Sequence, residues 1–225
     1  MTKNGVSTQI ITPKNVDKYE DLFEKGTQLL IDGIYYLAKV YPRANIELSL
    51  NNYTPSKVDG HWSLPSWLGK EEQSILPYFI VEYDEESRTV LSVAYGEIYQ
   101  EGTGQYLSKR CHVNWIVSQV FKDNHHPNAV GSARRLYEKI ISHANQHDCN
   151  YVSAGVIDSN EPSLRLHAKL GFTKIPNNEE MANSGCFIRD EKFTPFKNFS
   201  GENIYGEEIT PTVLNYYWLL LNADQ

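Results

Sequence analysis

The chain has 225 residues, of which 40% are hydrophobic and 22% charged, a balance typical of a globular protein long enough to bury a core. Its 21 basic and 28 acidic side chains give a net charge of −7, which disfavours a nucleic-acid partner and favours a cationic one. The three cysteines lack a paired spacing and indicate reduced thiols. There is no signal-peptide pattern and no apolar stretch of membrane-span length, so we expect a cytoplasmic protein without a membrane partner.

The N-terminal part, residues 1–77, begins with a predicted strand and helices. A short strand over 7–12 is followed by apolar residues that recur at helical spacing over 16–40. Gly26 and Gly33 are expected to divide this stretch into two helices, because glycine disfavours a helix interior.

Residues 51–74 lack regular periodicity and hold several prolines. Segments of this length inside a domain are usually functional lids or disordered. Three aromatic side chains favour a packed lid, which would cover the acceptor pocket. They are Tyr53, Trp62 and Trp67.

The central part, residues 78–172, predicts an antiparallel meander and then alternating strands and helices. Strands are expected over 78–83, 89–99, 111–121 and 151–157, with helices over 130–146 and 162–171. The last part, residues 173–225, adds loops, a strand near Cys186 and an apolar strand over 213–221. The order of elements predicts a single α/β domain built on one mixed sheet.

A loop of small and polar residues joins the strand ending at Phe121 to the next helix. The free N–H groups and the dipole of a helix N-terminus both favour a phosphate there. The candidate anion-binding residues are His126, Asn128, Ala129, Val130, Gly131, Ser132 and Ala133. A plain helix start is the alternative.

Together with the later segment 160–172, this loop resembles the GNAT superfamily of acyl-CoA-dependent N-acyltransferases. The family's pyrophosphate loop reads Gln/Arg-x-x-Gly-x-Gly/Ala, and its later segment reads Asn-x-x-Ser/Ala-x-x-Leu-Tyr-x-Lys-Leu-Gly-Phe. The later segment matches at Asn160, Ser163, Leu166, Lys169, Leu170, Gly171 and Phe172. In the loop, His126 replaces Gln or Arg and Ala129 replaces the first glycine, whereas Gly131 is kept.

The resemblance implies a single GNAT-like domain, whose mixed twisted sheet has splayed parallel central strands and is flanked by helices. It also implies acetyl-CoA as the acyl donor. The pyrophosphate would lie on the loop, and the pantetheine arm would pair with backbone groups of Gln119, Val120 and Phe121. Asn160 would bind a cofactor amide or cap its helix, and Ser163 would lie beside it. Arg134, Arg135 and Lys169 could reach CoA phosphates. A solvated position on the helix surface is the alternative for Arg135 and Lys169, whereas Arg134 is nearest the loop.

The resemblance also suggests catalytic residues. His167 stands where the family usually has a tyrosine that protonates the leaving thiolate, although it could equally be packed under the cofactor. The strand position where many relatives carry a glutamate has no carboxylate here. Glu97 and His112 are therefore the nearest candidates for a general base, with a solvated or ion-paired role as the alternative. Adjacent histidines such as His125 and His126 seldom converge on one ion, so no metal is expected.

The sequence thus predicts an N-acetyltransferase that moves an acetyl group from acetyl-CoA to a primary amine in a ternary complex. The lid favours a small-molecule acceptor, because a peptide needs an open groove. A protein or peptide N-acetyltransferase and a non-catalytic acyl-CoA-binding regulatory module are the alternatives. The apolar segment 216–221 could pair across a homodimer, with core packing as the ordinary explanation.

Overall fold

The computed structural model describes residues 5–40, 54–58, 60–67, 75–101, 108–175, 196–202 and 208–221. The helices in these ranges are α1 (Glu20–Val40), α2 (Ser132–Gln146) and α3 (Glu161–Lys169). The strands are β1 (Val6–Ile11), β2 (Ser56–Val58), β3 (His61–Ser63), β4 (Ile75–Asp84), β5 (Val90–Glu101), β6 (Ser108–Ser118), β7 (Tyr151–Ile157), β8 (Thr173–Lys174), β9 (Phe196–Glu202) and β10 (Glu208–Leu220). Short 3-10 turns cover Val16–Tyr19, Pro65–Trp67, Gln119–Phe121 and Pro127–Ala129.

Eight strands form one mixed sheet. Their order is β1-β4-β5-β6-β7-β10-β8, and β9 also pairs with β10. The contact between β6 and β7 is parallel, whereas the other pairs are antiparallel. The expected single α/β domain with a mixed sheet is confirmed.

The two parallel central strands separate along their length. Their pairing runs from Arg110 opposite Tyr151 to Val113 opposite Ala154. Beyond that point β6 continues to Ser118 and β7 continues to Ile157 beside β10, without pairing to each other, so a gap opens between β6 and β7. This is the expected splay, and it leaves one edge of the end of β6 without a neighbouring strand in the described ranges.

The helices lie on opposite faces of the sheet. The α1 face carries an apolar cluster that includes Phe23, Leu30, Phe79, Val93 and Val117. The other face packs against α2 and α3 through a second cluster, which includes Ile80, Ala94, Val113, Leu136 and Phe172. A smaller cluster of Tyr151, Ile175 and Trp218 lies at the β7–β10 side.

The expected break in the first helix is wrong, because α1 runs unbroken from Glu20 to Val40. Both glycines instead allow α1 to approach the sheet closely. A Cβ at Gly33 would lie 2.2 Å from Cγ1 of Val117, and one at Gly26 would lie 2.8 Å from Cε1 of Phe79. The cost of each glycine in a helix, about 1 kcal/mol, is offset by this close packing.

The described part of the predicted lid is packed. It forms the β2–β3 hairpin and a turn in which the Trp67 ring lies 5.3 Å from the Phe23 ring, with only 3% of Trp67 exposed. The Trp62 ring contacts Phe23 edge-on at 6.4 Å. Tyr53 and the strand expected near Cys186 lie outside the described residues.

The last strand lies inside the sheet. β10 pairs with β7 along one edge and with β8 and β9 along the other. Core packing therefore explains its apolar sequence better than pairing across a homodimer. None of the helices in the described ranges is long and apolar enough to span a membrane.

Candidate active site

The strand predicted over 111–121 ends earlier than expected. β6 stops at Ser118, and Gln119–Phe121 forms a 3-10 turn in which the Lys122 N–H donates to the Gln119 carbonyl at 2.9 Å. The Gln119 side chain explains the turn, since its Nε2 donates to the Val90 carbonyl at 2.9 Å and its Oε1 accepts from the His126 N–H at 2.6 Å. Gln119 therefore joins the end of β6 to the anion loop.

The anion loop ends in a left-handed residue and then opens α2. Gly131 has φ +78°, which favours glycine. The Arg135 N–H donates to the Gly131 carbonyl at 3.3 Å, as the first bond of the helix. The preceding N–H groups of α2, from Ser132 to Arg134, consequently have no partner inside the helix, and those of Ser132 and Ala133 next to the loop suit an anion.

Several side chains fix the shape of this loop. The His126 ring caps the turn by accepting from the Asn128 N–H at 3.2 Å, and the Ala129 N–H donates to the His126 carbonyl at 2.8 Å. The Asn128 amide donates to Asp84 at 3.1 Å, while the hydroxyls of Ser118 and Ser132 lie 2.7 Å apart. Ala129 is fully buried, so its methyl group fills the interior of the turn.

The two arginines next to the loop turn to different partners, and the expected surface position of Arg135 is wrong. Arg134 is largely exposed and pairs with Glu138 one turn along the helix at 3.1 Å. Arg135 turns inward and pairs with the buried Glu82 of β4 at 2.6 Å. The sequence gives no sign of this, because the partner carboxylate lies 53 residues away.

The loop and the gap together fit acetyl-CoA. The free N–H groups at the start of α2 suit its pyrophosphate, and the unpaired edge of β6 beyond Val113 suits the amides of its pantetheine arm. The six residues from Val113 to Ser118 span about 17 Å, which gives an extended arm room to lie between the strands.

Asn160 caps the N-terminus of α3, which confirms one of its two expected roles. Its Oδ1 accepts from the Ser163 N–H at 3.2 Å. Its Nδ2 makes no hydrogen bond with any residue that the structure describes, so the amide can also donate to a ligand. The cap and the cofactor contact are compatible.

His167 lies inside the protein with both ring nitrogens in hydrogen bonds. Nε2 is 2.7 Å from the Tyr137 hydroxyl, and Nδ1 is 2.8 Å from the Ser163 carbonyl. The side chain is 2% exposed, and burial lowers the pKa of His167. The ring is therefore neutral near pH 7, with Nδ1–H donating to Ser163 and Nε2 accepting from Tyr137. This arrangement favours the packed alternative over the acid role, which stays a prediction.

The two candidate bases lie side by side on the α1 face of the sheet. Glu97 of β5 is paired in register with His112 of β6, and His112 with Ser153 of β7. His112 Nδ1 lies 2.8 Å from the hydroxyl of the fully buried Ser153. Glu97 accepts a hydrogen bond from the Tyr95 hydroxyl at 2.8 Å. These three paired positions form a polar row at the closed end of the β6–β7 gap.

A β-bulge shapes this row. Tyr95 lies opposite Trp115 and Gly96 opposite Val113, so Asn114 is the extra residue of β6. The Tyr78 hydroxyl donates to the His112 carbonyl at 3.1 Å, next to the bulge. Because Gly96 has no side chain, the Tyr78 ring can cross β5 and reach this carbonyl from β4.

Sequence reasoning missed three residues of this region. Ser153 and Tyr95 hold the candidate bases, and Arg110 lies buried near Glu97 and Tyr151. Burial lowers the pKa of Arg110 to about 10, which still leaves it charged near pH 7. The signal that could have found Ser153 is a polar residue within an otherwise apolar strand, which marks a buried partner.

The residues that the structure describes contain no group of three or more His, Cys, Asp or Glu side chains suited to a metal ion. His125 and His126 turn to different partners. The His125 ring lies 3.1 Å from the Lys122 carbonyl, whereas the His126 ring caps its own loop.

The chain resembles known acetyltransferases in sequence and in fold. Residues 47–172, more than half of the chain, match the model of the acetyltransferase (GNAT) family. No curated protein matches the chain.

Three solved structures illustrate the likeness of fold. The NatC complex bound to Gag peptide and CoA is 12% identical with a TM-score of 0.52, over 96% of this chain and 99% of that chain. An N-acetyltransferase from Staphylococcus aureus Mu50 is 19% identical with a TM-score of 0.51, over 96% of this chain and 99% of that chain. YncA from Salmonella typhimurium with its cofactor acetyl-CoA is 13% identical with a TM-score of 0.50, over 98% and 96%. At these identities the likeness shows the fold alone.

Proposed function

Because the chain belongs to the acetyltransferase (GNAT) family and is an acyltransferase with acetyl-CoA as its acyl donor, we propose that it acetylates the primary amine of a small molecule. The amine would attack the thioester directly in a ternary complex. The observation that carries this proposal is the polar row Glu97–His112–Ser153 at the closed end of the gap between β6 and β7. It brings proton-accepting groups beside the place where the two strands separate.

The proposed cofactor site extends from the anion loop to this row. The N–H groups from Gly131 to Ala133 would hold the pyrophosphate, supported by the rest of the loop. The edge of β6 and the following turn Gln119–Phe121 would bind the pantetheine arm, with Asn160 donating from the opposite side. The cofactor supplies a thioester whose acyl group is transferred, and the residues of this chain orient it and exclude water.

An ammonium group must lose a proton before it can attack a carbonyl carbon. We assign this step to the pair Glu97 and His112, one of which accepts the proton through a direct contact or a water molecule. The Ser153 hydroxyl lies 2.8 Å from Nδ1 of His112 and fixes the orientation of the imidazole ring. The Tyr95 hydroxyl donates to one carboxylate oxygen of Glu97 and fixes the position of this side chain.

The packed hairpin supports a small acceptor. Trp67 and Leu64 belong to the same apolar cluster as Phe79 and Tyr95, so the β2–β3 segment covers the sheet face that carries the polar row. A fixed aromatic cover favours an enclosed pocket over an open peptide groove. A peptide acceptor is the second candidate, favoured by the fold likeness to the NatC complex bound to Gag peptide.

The test is a thiol-release assay with acetyl-CoA and a panel of small amines and short peptides, combined with calorimetric titration of CoA. We expect turnover with a small amine and a loss of kcat of about 100-fold or more in Glu97→Gln or His112→Gln, with CoA affinity unchanged. His147→Gln, at the far end of α2, is the matched control. Turnover with peptides alone would contradict the small acceptor. CoA binding without turnover on any amine would favour the non-catalytic module.

A further inference from the structure

Arg135 connects the anion loop to the sheet through four hydrogen bonds. Its Nε and Nη2 donate to the two carboxylate oxygens of Glu82 at 2.6 and 3.0 Å. The same Nη2 donates to the Asn128 carbonyl at 2.6 Å, and Nη1 donates to the Val130 carbonyl at 3.1 Å. One guanidinium therefore holds β4 on one side and two loop carbonyls on the other.

This ion pair is largely buried, with 21% of the Arg135 side chain exposed. Glu82 is 1% exposed and also accepts from the fully buried Ser92 hydroxyl at 3.2 Å. A buried ion pair is weak support for stability, because desolvation of the two charges can exceed their attraction. Two apolar residues of similar volume would stabilise the fold about as well. The contacts of Arg135 with the loop therefore explain the ion pair better than a contribution to stability does.

The hydrogen bonds of Arg135 decide which way the loop peptide groups point. A carbonyl oxygen facing a phosphate would repel it, whereas an N–H group attracts it. In a trans peptide the C=O and the following N–H point to opposite sides. With the Val130 carbonyl held by Arg135, the Gly131 N–H is directed away from the guanidinium, to the side from which an anion can approach.

We propose that Arg135 is a positioning residue for acetyl-CoA, which fixes the backbone of Asn128–Gly131 in its anion-binding form before the cofactor arrives, and that Glu82 holds Arg135 in place. The inference rests on the cofactor site of the proposed function. It differs from simple charge attraction, since Glu82 neutralises Arg135. The exposed neighbour Arg134 carries the same charge beside the same loop, and its guanidinium pairs with Glu138 on α2.

The experiment compares Arg135→Met with Arg134→Met by calorimetric titration of CoA and by steady-state kinetics in acetyl-CoA. We expect Arg135→Met to raise the Kd of CoA and the KM of acetyl-CoA by about tenfold or more, with kcat changed less than about threefold. Arg134→Met should change neither by more than about threefold. If both variants bind CoA equally weakly, and if their difference from the wild type shrinks as the salt concentration rises, charge attraction explains the binding and the proposal is overturned.

A double variant guards against a simple folding defect. Glu82→Leu with Arg135→Leu replaces the ion pair by apolar side chains and is expected to fold cooperatively. It should still bind CoA at least about tenfold more weakly than the wild type. Wild-type affinity in this variant would overturn the positioning role while leaving the proposed function intact. Failure of the wild-type protein to bind CoA would refute the cofactor site itself, and the positioning role with it.

Discussion

Replacement of Gly96 by alanine tests whether the bulge in β6 shapes the catalytic row. The added Cβ would lie 2.2 Å from the Tyr78 hydroxyl oxygen and 2.3 Å from the His112 carbonyl oxygen, where ordinary contact begins at 3.4 Å. One of these groups must therefore move by about 1 Å or more. Both are anchored, since Tyr78 is fully buried and the carbonyl belongs to a paired strand.

The expected cost follows from two terms. Overpacking of a core costs about 1–3 kcal/mol, and loss of the buried Tyr78–His112 hydrogen bond adds about 1–3 kcal/mol. We expect Gly96→Ala to lower the free energy of unfolding by about 2–6 kcal/mol. A displacement of His112 by about 1 Å should lower kcat by about 100-fold. Urea unfolding and the thiol-release assay measure the two effects.

Gly155→Ala is the matched control for stability. Its Cβ would meet only the flexible end of the Leu214 side chain, at 3.2–3.4 Å, and should cost less than about 1 kcal/mol. Tyr78→Phe separates the two terms, because it removes the hydrogen bond without adding volume. If Gly96→Ala proves as stable as Gly155→Ala and keeps its kcat, the bulge does not constrain His112 and the reasoning fails.

Three further predictions concern buried histidines and left-handed glycines. Burial lowers the pKa of His143 to about 4 from 6.5, so its contribution to stability is full above pH 6.5 and is lost as the pH falls toward 4. Between pH 7 and pH 5 this amounts to about 2 kcal/mol, and His143→Phe should remove that part of the pH dependence in urea unfolding; an unchanged slope would contradict it. Tyr137→Phe takes the donor from Nε2 of the buried His167 and should lower the free energy of unfolding by about 1–3 kcal/mol with kcat nearly unchanged. A large loss of kcat at unchanged stability would instead support the acid role of His167. Gly131→Ala should cost about 1–2 kcal/mol because φ is +78°, and should also weaken CoA binding in calorimetry. The control is Gly171→Ala, with φ +84° at the end of α3, which should lose the same stability but keep its affinity for CoA. If the two variants bind CoA equally well, the loop is not the cofactor site.

The sequence predicts correctly those elements whose signals lie within a few neighbouring residues. The strand expected over 151–157 is observed as β7 with the same bounds, because a short β-branched run has few alternatives. The helix after Asn160 begins with the expected side-chain cap and ends before Gly171 in a left-handed conformation. These signals involve residues three or four positions apart, which a sequence displays directly.

Elements that depend on distant partners were predicted less well. The end of β6 was placed three residues too late, because the bonds from Gln119 to Val90 and His126 cannot be read from an apolar run. Arg135 looked like a surface residue, because its partner Glu82 lies on another strand. Gly26 and Gly33 looked like helix breakers, whereas they give α1 close packing against the sheet. In each case a tertiary contact outweighed a local preference.

The position of His112, one of the two candidate bases, also depends on a contact that a local pattern does not show. Strict alternation along β6 would place His112 on the same face as Ile116, which packs toward α2. The extra residue at Asn114 shifts the phase, so that His112 shares the α1 face with Trp115 and with Glu97 of the neighbouring strand. One inserted residue therefore decides whether His112 is buried beneath a helix or lies in the polar row beside the gap. Since a bulge is set by pairing with β5, and Gly96 and Tyr78 secure that pairing, the identity of the base depends on contacts that no single strand encodes.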